Sequence, residues 1–117
     1  MAKTWTAETL KNFTVQDRLS HCPGFIRQLV AMAKDRLHAN KIWIFGSRSR
    51  GDARGNSDFD FVIDFPKSHE DNWAGFSIEA QEDLPTLHYL DILDYGKLDH
   101  DFKLSIESEG ILLYEKK

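Results

Sequence analysis

The sequence predicts an α/β (α+β) fold, a small mixed β-sheet flanked by helices. Three observations carry this expectation: an apolar stripe at helical spacing from Phe25 to Leu37, the β-branched and aromatic run Lys41 to Phe45, and a strictly alternating segment from Asp58 to Phe65. The link between the two strand segments is too short for an ordinary helical crossover, so the strands are expected to run antiparallel in a mixed sheet. A further helix, strand and helix complete the order helix, strand, strand, helix, strand, helix.

Each element has its own signal. Residues 1–20 carry the weakest pattern and read as an N-terminal extension of a single domain spanning 1–117, with Thr6 placed to cap a short helix that carries Leu10 and Phe13 on one side. Pro23 stands at a first helical position, and Phe25, Ile26, Leu29, Val30, Met32, Ala33 and Leu37 follow at helical spacing, with Asn40 as the stop. Lys41-Ile42-Trp43-Ile44-Phe45, between Asn40 and Gly46, reads as a buried strand. A short helical turn is expected over 47–51. In the second strand Phe59, Phe61, Ile63 and Phe65 share one face, and Asp58, Asp60, Val62 and Asp64 share the other, before Pro66 ends it. A helix is expected over 73–81, with Pro85 ending the loop behind it. His88 to Leu93 reads as a third strand, whose Asp91 shares a face with Tyr89 and Leu93. The last helix, over 98–109, spaces Leu98, Phe102 and Ile106 four apart. Gly110 then fits a left-handed cap contacted by Ile111, and Ile111 to Tyr114 adds a short strand or packs on the core.

Composition excludes several classes. A chain with 41% hydrophobic and 29% charged residues is an ordinary globular protein. Apolar runs such as Ile42–Phe45 and Ile111–Tyr114 are far too short to span a bilayer, and the first residues lack the apolar region of a signal peptide. No membrane is expected. A single cysteine, Cys22, permits no internal disulfide and fits a reducing, cytoplasmic location; beside Pro23 it reads as structural. A net charge of −4 argues against strong nucleic-acid binding, which needs a broad basic face. Positive charge is instead local. Arg48, Arg50 and Arg54 crowd one loop while acidic residues dominate from Asp58 to Asp101, as a small anionic ligand would require.

The same window holds the chemistry. Alternation places Asp58 and Asp60 side by side, a repulsive arrangement unless a cation sits between them. Mg²⁺ takes such hard oxygen ligands together with substrate phosphates. A third carboxylate, for which Asp91 is the candidate, would complete a site for two ions about 3.5–4 Å apart, the arrangement that assists in-line phosphoryl displacement. Asp91 lies between hydrophobic residues on a strand read as buried, where an unpaired carboxylate is costly. The Gly46-Ser47 turn follows a strand, so its N–H groups and hydroxyl can face a phosphate, and Arg48 and Arg50 can hold phosphate oxygens in bidentate fashion. Singly, these features are those of a solvated strand face, an ordinary turn and a solvated loop; their joint spacing is what argues for a site. Other motifs fail. A P-loop would need Lys-Ser/Thr where Asp52-Ala53 stands, and an EF-hand loop from Asn56 would put Phe61 at its glycine and Lys67 at its glutamate. Arg50-Gly51-Asp52 is a chance tripeptide, and the five histidines show no zinc spacing.

Gly46-Ser47, ten residues and then Asp58-Phe59-Asp60 resembles the signature of the DNA polymerase β-type nucleotidyltransferase superfamily. The fuller string from Phe45 to Asp60, with Tyr89 to Asp94 and the closing Ile106–Gly110 and Leu113-Tyr114, is similar to its minimal nucleotidyltransferases (MNT) over roughly residues 25–115. The resemblance implies a mixed sheet flanked by helices and Mg²⁺-dependent transfer of a nucleoside monophosphate from ATP or another NTP. It implies that Gly46 and Ser47 hold the triphosphate, assisted by Arg48 and Arg50. By the same analogy Asp58, Asp60 and Asp91 ligate two Mg²⁺ ions, with Asp91 also the general base. Many relatives of this size pair with a helical HEPN-type protein, an RNase toxin that the nucleotidyltransferase neutralises as antitoxin by adenylylating a tyrosine. The short chain leaves little room for an acceptor-binding domain, so the acceptor surface is expected from another protein or from oligomerisation. A non-catalytic nucleotide-binding module that neutralises its partner by contact is the alternative. Small-molecule transfer, as in nucleotidylation of aminoglycosides, is a third reading, though those enzymes are generally larger.

Overall fold

A four-stranded sheet organises the chain: β1 (Lys41–Phe45), β2 (Phe59–Asp64), β3 (Leu90–Asp94) and β4 (Ile111–Glu115), in the spatial order β3-β2-β1-β4. The computed structural model describes residues 7–45 and 59–117. As the short link requires, β1 and β2 are antiparallel; β4 adds antiparallel to β1, and β3 lies parallel to β2. The sheet is therefore mixed and the fold is α/β, with α1 (Val15–Arg18), α2 (Gly24–Leu37), α3 (Trp73–Asp83) and α4 (His100–Glu109) around it.

The alternation in β2 sorts the two faces. Phe59, Phe61 and Ile63 join Ile42, Ile44, Leu90, Ile111 and Leu113 in the main core, under Ile26, Leu29, Val30 and Ala33 of α2 and Phe76 and Ala80 of α3. On the opposite face Val62 and Trp43 meet Ile106 of α4, with Phe45, Leu93, Tyr95, Leu98, Phe102 and Leu112 packed around them. Strand period and helix stripe thus agree on one core per face.

Several boundaries differ from expectation for local reasons. Pro23 is extended (φ −55°, ψ 152°) and precedes α2 rather than opening it. Its stop is His38, in the left-handed conformation at φ 54° with its N–H on the Ala33 carbonyl, whereas Asn40 already donates across the sheet to the Asp64 carbonyl at 2.7 Å. Histidine is among the non-glycine residues that tolerate this region. The left-handed cap expected at Gly110 is not there: its φ is −71° and its ψ 159°. Helix α4 starts at His100 because Asp99 caps it, Oδ1 accepting from the Phe102 N–H at 2.8 Å. The third strand begins at Leu90, not His88. The tail forms β4. Thr6 and the turn expected over 47–51 lie outside the described residues.

The N-terminal stretch, weakest in the sequence, has a defined job. Ala7 and Leu10, in a 3₁₀ turn over Ala7–Asn12, are fully buried in the main core. Arg18 donates from Nε to the Leu10 and Phe13 carbonyls, each at 3.0 Å, and from Nη1 to the Leu112 carbonyl of β4 at 2.8 Å. One outer edge of the sheet is thereby covered.

Candidate functional site

Asp60 is the second residue of β2 and Asp91 the second of β3, and the parallel register sets them opposite each other. Residues paired across strands about 4.8 Å apart point to the same face, so two carboxylates distant in sequence stand side by side. On its other side Asp60 is opposite Phe45, whose ring lies 5.7 Å from that of Phe102 in α4. Residues 46–58 connect Phe45, the strand partner of Asp60, to Phe59, its neighbour in the chain. Gly46, Ser47, Arg48, Arg50 and Asp58 fall within that link and lie outside the described residues.

One expectation is corrected. Asp91 is exposed rather than buried. The reason is topological: β3 is an outer strand, and only its Leu90 is buried. The carboxylate is therefore hydrated and reachable from the sheet edge, and the desolvation argument for its importance falls away. What replaces it is its register with Asp60. Two carboxylates in register on one face repel, and they supply the hard oxygen donors that suit Mg²⁺. The donor set fits that ion. Among the described residues no group of three or more His, Cys, Asp or Glu side chains is gathered as a metal site, so the described part of the candidate site is this pair.

Other titratable groups have structural roles. Asp64, at the far end of the same β2 face, has its carboxyl pushed up by burial, opposed by Lys41 and Lys103 and reinforced by Asp94. Asp94 closes the turn after β3, its Oδ1 accepting from the Gly96 N–H at 2.9 Å. Burial pushes the Cys22 thiol up to about 11 despite Arg27, and its Sγ lies 3.4 Å from the Arg18 carbonyl. It is a packed thiol rather than a nucleophile. Histidines act as packing rings: His21 stacks on Phe13, His38 on His69, and His88 lies against Phe25 and Phe59.

The sequence did not reveal a groove of about 330 Å³ between α3 and β3, lined by Ser77, Ile78, Gln81, Glu82, Asp91 and Ile92. It opens beside the candidate site. The available signal was Leu87 and Tyr89, large apolar side chains in an otherwise polar approach to the third strand.

A mixed sheet whose neighbouring strands pair two aspartates beside an open edge defines the class, a small α/β domain with a carboxylate-bearing face. Residues 27–117 match the family described as Polymerase beta, Nucleotidyltransferase, and the chain belongs to that family. Among solved structures it is similar to a chain of a mutant MntA–HpeT toxin–antitoxin complex, at 14% identity and a TM-score of 0.61, covering 78% of this chain and 73% of that one. It is also similar to a chain of a toxin–antitoxin complex with AMP-PNP, at 18% identity and a TM-score of 0.54 with the same coverages. At these identities the likeness shows the polymerase β-like fold. No curated protein matches the chain significantly.

Proposed function

We propose that this chain is a Mg²⁺-dependent nucleotidyltransferase that moves AMP from ATP onto a hydroxyl of a partner protein, as the antitoxin of a HEPN-type toxin. The observation that carries this reading is the register of Asp60 with the exposed Asp91 in a chain of the nucleotidyltransferase family. Asp58, Asp60 and Asp91 hold two Mg²⁺ ions. Gly46 and Ser47 hold the triphosphate, with Arg48 and Arg50 on its oxygens. When bound, the ions supply neutralising charge at the phosphates. Asp91 accepts the proton of the acceptor hydroxyl, whose oxygen attacks the α-phosphorus. The new O–P bond forms as the bond from that phosphorus to the bridging oxygen breaks, and pyrophosphate leaves with the electron pair.

The neighbours support the finer points. Both belong to toxin–antitoxin structures, and one of those structures is with AMP-PNP, an adenine nucleotide. The other structure is of a mutant pair with glutamate in place of two aspartates two positions apart, the spacing of Asp58 and Asp60.

The test is incubation with α-labelled ATP, Mg²⁺ and the protein encoded next to this one. Label is expected on that protein, falling about 100-fold or more with Asp58→Ala or Asp60→Ala. Full neutralisation of the partner by both variants, without label transfer, would establish the non-catalytic binding module instead.

A further inference from the structure

The two outer strands of the sheet are treated differently. At β4 the N-terminal segment closes the edge, with Arg18 on the Leu112 carbonyl. At β3 the Phe59 N–H of β2 donates to the Tyr89 carbonyl, and strand alternation then turns the backbone groups of Leu90 and Ile92 outward. The Gln81 side-chain amide meets the Leu90 carbonyl, and Ile92 lines the groove against α3. An exposed strand edge is a template for another strand, and proteins usually blunt it with lysine, proline or a covering segment. Among the described residues β3 carries neither lysine nor proline and pairs with no further strand, although Gln81 takes its Leu90 carbonyl.

Three further observations converge on the same edge. Of the four large hydrophobic side chains exposed among the described residues, three flank it: Leu87 is 106% exposed, Ile78 58% and Tyr89 57%. The stretch from Trp73 to Asp94 contains no lysine or arginine, while Glu82, Asp83 and Asp91 are exposed in it and Glu79 is already bonded to Arg36. Finally, the groove reaches Asp91 itself.

We infer that this edge is the docking site for the acceptor, an extended segment of the partner protein that alternates apolar with basic residues and adds as a strand to β3. The inference rests on the nucleotidyltransferase reading and names the side from which its acceptor arrives. Main-chain bonds to β3 supply affinity, and the groove and its acidic rim select the side chains. The apolar positions turn toward α3 and seat on Ile78 and Leu87, while alternation turns the basic ones to the opposite face, where Asp91 stands, with Glu82 and Asp83 adding longer-range attraction. Side chains of an added strand share faces with their neighbours across the pairing, so a hydroxyl opposite Asp91 lies on the Asp60–Asp91 face.

The probe is a set of fluorescent peptides of about ten residues with a central tyrosine, flanked by alternating valine and lysine, valine and serine, or valine and glutamate. Anisotropy with the full chain is expected to show binding of the lysine peptide. That binding weakens about tenfold or more with Ile78→Ser, with Leu87→Ser, and on N-methylation of alternate peptide amides. Leu87→Ser alters a fully exposed side chain, and its unchanged melting curve certifies the fold. Binding with these losses supports the docking site whether or not label from ATP reaches the tyrosine; without label it is the transferase reading that fails. Absence of lysine-peptide binding, or binding indifferent to both substitutions and to N-methylation, overturns the inference even where the chain transfers label to its partner. Self-association by sedimentation that Leu87→Ser abolishes overturns it too, assigning the edge to a second copy of this chain.

Discussion

At Gly110 an added Cβ would stand 2.6 Å from the Ile106 carbonyl oxygen and 3.4 Å from Trp43 Cδ1. The same carbonyl accepts the Gly110 N–H at 2.8 Å, so the backbone cannot withdraw without losing that bond. Glycine is required here by close approach, not by a left-handed φ. Gly110→Ala should destabilise the fold by about 1–3 kcal/mol, read as a lower urea midpoint with the slope unchanged. At Asp60 and Asp91 the residue types were legible from alternation and from the aspartate isolated in an apolar run. The exposure of Asp91 was not, because a strand's sequence does not state whether it lies at the centre or the edge of its sheet.

Among elements, the N-terminal turns and α1 show how a weakly patterned segment becomes essential to packing. They bury Ala7 and Leu10 and close the β4 edge through one guanidinium that satisfies three carbonyls. Arg18→Ala leaves those partly buried acceptors without their partner and should cost about 1–3 kcal/mol. Arg18→Lys cannot reproduce the fork and should recover only part of this. Urea denaturation gives the cost, and faster limited proteolysis over residues 7–21 locates it. No periodicity announced this, because the partner strand lies at the other end of the chain. Elements whose signal is local, namely α2, β1 and β2, were read to within a residue or two.

For the whole molecule, the sheet order brings the candidate ligands from β2 and β3 to one end of one face, beside Phe45 at the end of β1. A ligand held across those strands binds only the folded chain and should raise its melting temperature. With Mg²⁺ and ATP at about 100 times the dissociation constant the gain is about 2.7 kcal/mol. EDTA or Asp60→Asn is expected to remove that shift, and scanning calorimetry with and without Mg²⁺ measures it.

The sequence by itself determined the strand alternation that puts Asp60, Val62 and Asp64 on one face, the helical stripe of α2 and the antiparallel pairing of β1 with β2. Each depends only on short-range spacing. It also carried the Gly46–Asp60 signature by which the family was recognisable. Tertiary structure alone decided which edge is closed and which is open, set Asp91 opposite Asp60, exposed it to solvent and cut the groove beside it. These are consequences of strand order and register, which are fixed by contacts between segments far apart in the chain and so leave no local pattern to read.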